Sequence, residues 1–399
     1  MKRLNDILNG VSVKKLIGNK DQLVSEVYLD SRKVKSGGLF FAVKGLLTDG
    51  HLYINNAIEK GAKVIICEKI PDELLSEDVT YVQIENFKYQ MAKIVGNFYD
   101  HPDKSIKLIG VTGTNGKTTI ATLLYNLMMK MGIKSGLLST IENKIGERTL
   151  KSTHTTPDVI NLNKLIKNMR EDGCEYIFME VSSHAIDQDR ISDLDFDGAI
   201  FTNLTHDHLD YHGTFAEYLK TKKKFFDNLK NDAFALTNID DRNGKVMVQN
   251  SKARIFTYSL KQMADYKGKI LQNSILGLQL KINGKEAFFK LPGEFNAYNL
   301  LAIYGTFSTL GFDETEILIK MSELESATGR FEIIFNPENS KYAICDYAHT
   351  PDALKNILIT LQKTKEKGQK IITVFGAGGD RDKTKRPEMG KIAAQLSNL

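Results

Sequence analysis

A glycine-rich segment that ends in Lys-Thr-Thr carries the strongest chemical signal in the sequence. Residues 110–119 lie between an apolar strand pattern and an amphipathic helix pattern. In that setting backbone N–H groups and the helix N-terminus face a phosphate group, and glycine permits close approach. Lys117 is expected to contact the β- and γ-phosphates of a nucleotide, and Thr118 to ligate Mg²⁺. The motif is a variant, because Val111 stands where the strict pattern has glycine and Gly113 supplies it instead. A glycine-rich turn that binds nothing is the alternative.

A second chemical signal is a carboxylate at the end of a buried strand pattern. Three apolar residues, 177–179, precede Glu180. In phosphate-loop proteins an acid at this place on a neighbouring strand assists Mg²⁺, and oxygen ligands suit that ion. Glu180 is therefore predicted to help hold a metal ion, with a purely structural role as the alternative.

Histidines and lysines concentrate farther along the chain. Five of the 8 histidines lie between residues 154 and 212, namely His154, His184, His206, His208 and His212. A zinc site is disfavoured because no third ligand stands at a defining spacing. Mg²⁺ prefers oxygen, so a histidine would be a supplementary ligand, and a loop of capping residues is the alternative. By composition alone the lysines at 220, 222, 223 and 224 indicate a solvated helix face.

Strand and helix patterns place these residues in an α/β fold. From residue 106 onward apolar runs alternate with helical periodicity, which predicts a mostly parallel sheet with helices on both faces. Residues 1–105 are predicted to form a small mixed α/β domain, residues 106–327 a central phosphate-loop domain with a parallel sheet, and residues 328–399 a partial Rossmann-like domain. Ligand sites in such sheets form at the carboxyl ends of the strands.

Two local patterns add detail to this outline. Asn283-Gly284 between alternating runs predicts a type I′ hairpin, and the apolar run 370–375 predicts a late strand. Of the three widely spaced cysteines, Cys67 and Cys345 follow apolar runs and are expected in the core. Their number and spacing support neither a disulfide framework nor a zinc site.

Composition limits the class of protein. The 399 residues are 42% hydrophobic, with 54 Lys plus Arg against 49 Asp plus Glu and a net charge of +5. These values exclude a largely disordered chain and give no argument for a nucleic-acid partner. No apolar run reaches the ~18–20 residues of a membrane-spanning helix, and the N-terminus lacks a signal-peptide segment. The chain is therefore expected to be soluble and cytoplasmic, without membrane insertion.

Seven motifs together resemble the ATP-dependent Mur ligases. Three are typical of the whole family: residues 113–119 (GTNGKTT), 180–184 (EVSSH) and 202–210 (TNLTHDHLD). Four narrow the resemblance to the MurE branch: residues 29–32 (LDSR), 154–158 (HTTPD), 210–213 (DYHG) and 346–352 (DYAHTPD). The motifs occur in the family's order and cover nearly the whole chain.

The resemblance implies a three-domain enzyme with a UDP-binding N-terminal domain, a central ATPase domain and a C-terminal amino-acid-binding domain. Its expected reaction adds the third amino acid, such as meso-diaminopimelate or L-lysine, to UDP-N-acetylmuramoyl-L-alanyl-D-glutamate in peptidoglycan precursor synthesis. ATP converts the D-Glu carboxylate to an acyl phosphate, and the incoming amine then displaces phosphate and forms an amide. This chemistry needs positioning and charge neutralisation. The enzyme is expected to be a monomer.

The resemblance also implies roles for individual residues. Those expected to bind ATP are Gly113, Thr114, Asn115, Gly116, Lys117, Thr118, Thr119, Asn296, Asn299, Arg330, Asp346 and His349. Those expected to bind the UDP-sugar peptide are Ser31, Thr155, Thr156, Ser182, Gln188 and Arg190. Two Mg²⁺ ions are expected, the first on Thr118 and Glu180 and the second served by His208, with a carbamate on Lys222 that bridges to the metal site. The expected catalytic residues are Lys117, Glu180, His208 and Lys222.

Lys222 departs from the solvated-face interpretation of its cluster. It stands twelve residues after Asp210 and matches the family's carbamylated lysine. A carbamate formed with CO₂ is an anion with oxygen ligands for Mg²⁺, which an ammonium group is not. Its neighbours Lys220, Lys223 and Lys224 keep the solvated-face interpretation.

The C-terminal part of the resemblance concerns the incoming amino acid. Arg381 and Arg386 are expected to bind its carboxylate, because guanidinium pairs with carboxylate in a bidentate manner. The family's motif that discriminates diaminopimelate from lysine does not occur in the sequence. The chain is therefore expected to end inside its third domain, which would leave the third amino acid undetermined and activity impaired.

Other functions stay open at this stage. A related amide ligase of the MurF or folylpolyglutamate synthetase type is one, although residues 154–157 and 29–32 argue against it. A non-catalytic phosphate-loop nucleotide-binding protein is another; residues 143–146 (NKIG) lack the Asp of a guanine-reading motif, which weakens a GTPase. A fragment that binds a UDP-sugar without catalysis is the third.

Overall fold

The computed structural model describes residues 1–45, 48–152, 154–338, 341–376 and 385–399. The chain divides into two compact units. Unit 1 comprises Met1–Ile106, Thr156–Asp172 and His184–Asp195, and unit 2 comprises Lys107–Thr155, Gly173–Ser183 and Phe196–Leu399. The three-domain boundaries predicted from the sequence stay a prediction.

The strands of the described residues are, in chain order, β1 (Lys2–Arg3), β2 (Val13–Ile17), β3 (Leu23–Val24), β4 (Val27–Tyr28), β5 (Gly38–Ala42), β6 (Ala62–Cys67), β7 (Thr80–Ile84), β8 (Lys107–Thr112), β9 (Ser135–Leu138), β10 (Glu142–Ile145), β11 (Arg148–Lys151), β12 (Tyr176–Glu180), β13 (Gly198–Phe201), β14 (Phe234–Asn238), β15 (Arg254–Ser259), β16 (Tyr266–Ser274), β17 (Gly277–Ile282), β18 (Lys285–Phe289), β19 (Glu332–Asn336) and β20 (Lys341–Cys345).

The α-helices are α1 (Leu4–Ile7), α2 (Ile54–Glu59), α3 (Phe87–Tyr99), α4 (Lys117–Lys130), α5 (Val159–Glu171), α6 (Ser183–Asp187), α7 (Leu209–His212), α8 (Phe215–Asp227), α9 (Gly244–Val248), α10 (Glu294–Thr309), α11 (Glu314–Ser322), α12 (Pro351–Thr364) and α13 (Lys385–Leu396). Short 3-10 helices cover Ser31–Lys33, Gly50–Tyr53 and Pro102–Ser105. In the described part of the chain, none of the helices combines the length and the apolar character that crossing a bilayer requires.

Unit 1 is built on a five-stranded sheet in the order β2-β7-β6-β5-β4, parallel except for β2. All residues of β5 are buried, because alternate side chains enter two different cores. Phe41 packs on one face with residues of α3, and Phe40 packs on the other with residues of α2. Cys67 lies fully buried in the second core, as predicted.

Unit 2 contains an eleven-stranded sheet in the order β11-β10-β9-β12-β8-β13-β14-β15-β16-β17-β18. The strands from β9 to β16 run parallel, and antiparallel hairpins extend both ends. The predicted mostly parallel α/β sheet is confirmed. Strand β8 lies near the middle, between β12 and β13, so the loops after these strands meet at one edge.

The hairpin between β17 and β18 turns at Asn283-Gly284, as predicted. Both residues have positive φ, 44° and 91°, as a type I′ turn requires. Helices α4 and α10 cover the sheet and bury most of their side chains, which explains why α10 shows little amphipathic pattern.

Two local predictions for the C-terminal segment are wrong. Residues 370–375 do not form a strand, because they join no ladder within the described residues, and Val374 is 95% exposed. Cys345 is exposed rather than buried, since β19 and β20 pair only with each other in the described part of the sheet. A small core of Leu354, Leu358 and Met389 joins α12 to α13.

Candidate active site

The phosphate-loop segment connects β8 to α4 at the carboxyl edge of the parallel sheet. Gly113 has a φ of 147°, and a Cβ atom there would lie 1.9 Å from Thr202 Oγ1. Asn203 supports the loop, because its carbonyl accepts the N–H of Thr114 at 2.8 Å and its Oδ1 accepts the N–H of Asn115 at 3.0 Å. The chain after β13 therefore shapes the loop, and Gly113 is required by both backbone angle and space.

Lys117 is the first residue of α4, and its side chain folds back on the loop. Its Nζ donates to the carbonyls of Gly113 at 2.9 Å and Thr114 at 2.8 Å. Burial lowers the pKa of this amine, while the charges of Glu180 and Asp207 raise it. Neutral carbonyl groups hold a cation less strongly than a phosphate does, so the amine is poised to exchange them for phosphate oxygens.

Glu180 is the last residue of β12 and lies in parallel register with Val111 of β8. The residue is 1% exposed, and both of its carboxylate oxygens accept hydrogen bonds from Thr140. The backbone N–H of Thr140 reaches Oε1 at 2.7 Å and its hydroxyl reaches Oε2 at 3.2 Å. These donors compensate for the burial of the carboxylate. Glu180 and Thr118, the two oxygen ligands predicted for the first Mg²⁺, line the same cavity.

Lys222 lies on the buried face of α8 and is 1% exposed. Its Nζ donates to the carbonyl of Gly113 at 3.0 Å and to Thr112 Oγ1 at 3.3 Å, and lies 5.0 Å from the centre of the Tyr218 ring. Burial lowers the pKa of Lys222 well below its ordinary value, and the charge of Lys117 lowers it further. The solvated position that composition alone indicated for this lysine is excluded.

The neighbouring lysines behave differently from one another. Lys220 and Lys224 are exposed, which agrees with the solvated-face interpretation. Lys223 does not, because it is 9% exposed and pairs with Asp227 one helical turn later. The buried face of α8 thus includes Lys223 as well as Lys222, although the sequence pattern predicted that Lys223 faces solvent.

The loop before α7 brings His208 to the cavity in the left-handed conformation, with φ at 54°. His208 Nε2 lies 3.4 Å from Asp207 Oδ2, and the Oδ1 atom of Asp207 pairs with Lys385 Nζ at 2.6 Å. Burial alone would raise the pKa of Asp207, but the charges of His208, Lys385 and Lys117 lower it to about 2. Asp207 therefore stays ionised beside the loop.

The start of α10 supplies the two asparagines predicted to lie near adenine. Asn296 Nδ2 donates to the carbonyl of Pro292 at 2.8 Å, and Asn299 Nδ2 donates to Asn296 Oδ1 at 3.0 Å. A Cβ at Gly116 would lie 2.8 Å from Asn299 Oδ1. Asn299 lines the cavity beside the phosphate loop, whereas Asn296 is a buried residue that orients it.

Three predicted residues reach the cavity from the segment after 329. Arg330 Nη2 donates to Thr118 Oγ1 at 2.8 Å, and its guanidinium lies 4.8 Å from the centre of the Tyr347 ring. Burial raises the pKa of Asp346, although a backbone hydrogen bond and Arg330 oppose that shift. His349 Nδ1 lies 3.1 Å from the carbonyl of Tyr347. Arg330, Asp346 and His349 all line the cavity.

Four residues predicted to bind the UDP-sugar peptide lie in unit 1. Arg190 Nη1 donates to the carbonyl of Thr156 at 2.9 Å, and its Nε and Nη2 donate to Gln188 Oε1 at 3.1 and 2.6 Å. The structure thus joins Thr156, Gln188 and Arg190. Ser31 is buried at the start of a 3-10 helix that Asp30 caps.

Of the two arginines predicted for the incoming amino acid, the structure describes only Arg386. Arg381 lies outside the described residues. Arg386 is exposed in the first turn of α13 and does not line the cavity. Its neighbour Lys385 makes the contact with Asp207 instead.

One cavity of about 580 Å³ in unit 2 collects most of these side chains. The predicted residues that line it are Thr114, Asn115, Gly116, Lys117, Thr118, Thr119, Thr155, Glu180, Ser182, His208, Lys222, Asn299, Arg330, Asp346 and His349. Its volume is that of a small-molecule site, about 300–1,000 Å³. Gly113 and Asn296 do not line the cavity.

The donors in this cavity fit Mg²⁺ better than zinc. Thr118 and Glu180 offer oxygen, and no three His, Cys, Asp or Glu side chains of the described residues are grouped to hold a metal ion. Mg²⁺ is commonly held by one or two carboxylates together with substrate phosphates and water. The site therefore suits a metal ion that arrives with a nucleotide.

Sequence reasoning missed four residues of the cavity wall and its supports. Asp207 and Asp352 stand inside motifs that were recognised, and Asn115 Nδ2 donates to Asp352 Oδ2 at 2.9 Å. A search for carboxylates in those motifs would have found both. Thr140 and Lys385 carried no comparable signal, because the fold alone brings them to Glu180 and Asp207.

Three family models match consecutive parts of the chain. The model described as "Mur ligase family, catalytic domain" matches residues 23–99, "Mur ligase middle domain" matches residues 111–306, and "Mur ligase, glutamate ligase domain" matches residues 329–399.

Curated relatives agree with these matches. The UDP-N-acetylmuramoyl-L-alanyl-D-glutamate–2,6-diaminopimelate ligase of Cytophaga hutchinsonii is 50% identical over 396 residues, which are 99% of this chain and 81% of the relative. The ligase of the same name from Parabacteroides distasonis is 51% identical over 395 residues, with the same coverage.

Solved structures share the fold. A structure of a UDP-N-acetylmuramoyl-L-alanyl-D-glutamate–2,6-diaminopimelate ligase aligns with a TM-score of 0.77 at 30% identity and covers all of this chain and 81% of that one. The MurF ligase of Thermotoga maritima in complex with ADP aligns with a TM-score of 0.64 at 21% identity, over 95% of this chain and 84% of that one.

Proposed function

The chain belongs to the Mur ligase family, and from that premise we propose that it joins a diamino acid to UDP-N-acetylmuramoyl-L-alanyl-D-glutamate with cleavage of ATP to ADP and phosphate. The relatives at 50% and 51% identity are named for 2,6-diaminopimelate, which favours that amino acid over lysine. The observation that carries the proposal is that the phosphate loop, Glu180 and Lys222 line one cavity together. The monomeric state stays a prediction.

The reaction proceeds in two steps. An oxygen of the D-Glu carboxylate attacks the γ-phosphorus of ATP, the bond from that phosphorus to the β–γ bridging oxygen breaks, and ADP leaves. The amine of the diamino acid then attacks the acyl carbon, phosphate leaves, and the amine loses a proton as the amide forms. Both steps gather negative charge on phosphate oxygens, so positioned cations lower the barriers.

The phosphate loop supports the first step. Its backbone N–H groups and the N-terminus of α4 bind the phosphates, and Lys117 exchanges the carbonyls of Gly113 and Thr114 for phosphate oxygens. Asn299 lies beside Gly116 and contacts the adenine side of the nucleotide. Arg330 and Asp346 bind the ribose, and His349 lies near the phosphates.

Thr118 and Glu180 would hold the first Mg²⁺, His208 would serve a second, and a carbamate on Lys222 would bridge to the metal site. Bound Mg²⁺ neutralises charge on the β- and γ-phosphates. Lys222 would act after reaction with CO₂. Its neutral amine attacks the carbon of CO₂, an N–C bond forms, the electrons of one C–O π bond move to oxygen, and the nitrogen releases one proton, which leaves a carbamate anion. Burial supports this assignment, because it favours the neutral amine that the reaction needs and places an anion where cations gather.

Six residues are proposed to bind the UDP-sugar peptide. Ser31 contacts the uridine end, while Thr156, Gln188 and Arg190 form a joined group in unit 1. Thr155 and Ser182 line the unit 2 cavity, where the D-Glu carboxylate reacts. Arg381 and Arg386 are proposed for the carboxylate of the incoming diamino acid.

Product analysis by mass spectrometry tests the function directly. The protein is incubated with UDP-N-acetylmuramoyl-L-alanyl-D-glutamate, ATP, Mg²⁺ and an equimolar mixture of diaminopimelate, lysine and related diamines. A product that carries diaminopimelate, formed together with ADP, is expected. ADP formation without any amide product would favour a nucleotide-binding switch. The absence of an amide product with every diamine would overturn the proposal.

A further inference from the structure

Thr140 contacts both Glu180 and Thr155, two residues with roles in the proposed reaction. Neither the sequence motifs nor the family resemblance assigns a role to Thr140. It follows β9 and lines the unit 2 cavity together with Glu180 and Thr155. Its N–H donates to Glu180 Oε1 at 2.7 Å. Its hydroxyl donates toward Glu180 Oε2 at 3.2 Å and toward Thr155 Oγ1 at 3.1 Å.

The turn that carries Thr140 is held independently of Glu180. The preceding residue, Ser139, donates its hydroxyl to the carbonyl of Glu142 at 2.7 Å, and its N–H is accepted by Asn143 Oδ1 at 3.3 Å. Ser152 Oγ donates to the carbonyl of Ser139 at 2.7 Å. Thr140 is thus a fixed support that orients the Glu180 carboxylate, rather than a side chain that follows it.

The hydroxyl of Thr140 has one proton and two acceptors. A hydroxyl donates once and accepts through its lone pairs, so it serves Glu180 and Thr155 in turn. While it donates to Glu180, the Thr155 hydroxyl can donate inward to Thr140. When a cation neutralises Glu180, the Thr140 hydroxyl can rotate and donate to Thr155 Oγ1, and the Thr155 hydroxyl can then point its own proton into the cavity.

We propose that Thr140 is a positioning residue that orients Glu180 for Mg²⁺ and couples metal binding to the acceptor substrate through Thr155. The proposal rests on the proposed function, because it takes Glu180 as a metal ligand and Thr155 as an acceptor-binding residue. With Mg²⁺ bound, Thr155 becomes a hydrogen-bond donor to an oxygen of the UDP-sugar peptide. Outer residues of this kind commonly control metal affinity by orienting the ligand.

Binding measurements without turnover test both halves of the proposal. Calorimetry first measures the affinity of the full chain for ADP at a series of Mg²⁺ concentrations. A second titration measures its affinity for UDP-N-acetylmuramoyl-L-alanyl-D-glutamate in the presence of ADP, with either Mg²⁺ or EDTA. The variants are Thr140→Val, which removes the hydroxyl at nearly constant volume, and Thr140→Ser, which keeps it. Thr306→Val is the matched control, because Thr306 is a buried threonine that donates within α10 to Ala302.

In Thr140→Val the Mg²⁺ concentration for half-maximal ADP binding is expected to rise about tenfold. The same variant is expected to lose the Mg²⁺-dependent increase in acceptor affinity that the wild type shows. Thr140→Ser and Thr306→Val should resemble the wild type. In a double-mutant cycle, Thr140→Val and Thr155→Val should be non-additive for acceptor binding, since both break one hydroxyl pair.

Two results would overturn the proposal. Thr140→Val could keep the Mg²⁺ dependence of the wild type, or Thr140→Ser could be as impaired as Thr140→Val, which would assign the effect to the methyl group. Failure of the proposed function is distinguishable, because the wild type would then not bind the UDP-sugar peptide. In that case the ADP titration still tests the contact between Thr140 and Glu180.

Discussion

The cavity of unit 2 and a joint of unit 1 both bury ionisable side chains, yet they differ in how those groups are satisfied. We define the joint as His101, Asp103 and Asp193. In the cavity, both oxygens of Glu180 accept hydrogen bonds from Thr140. In the joint, Asp103 Oδ2 accepts the N–H of Asp195 at 2.9 Å, while its Oδ1 has no hydrogen-bond partner among the described residues.

The pKa shifts follow the same division. Several cations outweigh the effect of burial and lower the pKa of Asp207 in the cavity to about 2. In the joint, burial raises the pKa of Asp103 and of Asp193, although His101 opposes both shifts and lies 3.4 Å from Asp193. None of the three joint residues lines the 580 Å³ cavity.

The difference shows when a buried charge points to function. Perturbed pKa values occur in both regions, so they do not identify a site on their own. Unlike the joint, the cavity also has free volume and several donors that converge on one class of ligand, a phosphate-bearing nucleotide. The joint instead ties Asp195 to the rest of unit 1, close in sequence to Gln188 and Arg190, and its charges are part of that connection.

Among the variants that test this comparison, Lys117→Ala is expected to have the largest effect on activity. The change removes the cation that the phosphate loop holds, and ADP formation should fall about a thousandfold because one preorganised charge contact is lost. Acceptor-dependent ADP release measures it. Lys130→Ala, at the other end of α4, is the control and should leave the rate unchanged. Unaltered turnover in Lys117→Ala would mean that the cavity is not the site of phosphoryl transfer.

Lys222→Ala should have the next largest effect, about a hundredfold on amide formation, because a carbamate that orients a metal ion is lost. A short carboxylate such as acetate should restore part of the rate, since it supplies the missing oxygens. In the wild type, ¹³C-labelled bicarbonate should give a carbamate NMR signal that Lys222→Ala lacks. Exposed Lys220 offers the matched alanine control. Full activity of Lys222→Ala without added carboxylate would contradict the assignment.

The cavity was largely predictable because its residues stand in contiguous motifs at strand ends. Residues 113–119 and His208 follow two neighbouring parallel strands, Glu180 ends a third, and the carboxyl ends of such strands meet at one edge. Lys222 needed the family resemblance, because helical lysines ordinarily face solvent. Thr140 and Lys385 were not predictable, since their contacts join residues 40 and 178 positions apart.

The joint was missed for the same physical reason. The contact of Asp103 with Asp195 joins residues 92 positions apart, and neither periodicity nor motif spacing reports such a contact. The errors at 370–375 and Cys345 have a related origin. An apolar run predicts a strand or a buried cysteine only if another element covers it, and coverage is a property of the fold.

Asp103→Asn is expected to have the smallest effect on activity. It also tests the joint most directly, through the pH dependence of stability. The folded-state pKa of Asp103 is raised above its ordinary 3.8, chiefly by burial, so the wild type loses stability as the pH rises through the interval between the two values. Asparagine carries no charge and can still accept the N–H of Asp195. Its thermal midpoint should therefore exceed that of the wild type at pH 7, and the difference should close below about pH 4.

Ligase turnover of Asp103→Asn should be unchanged, and exposed Asp21→Asn should show no such pH dependence. If Asp103→Asn were instead less stable than the wild type at pH 7, the charged carboxylate would be a net stabilising group, and the contrast between joint and cavity would fail.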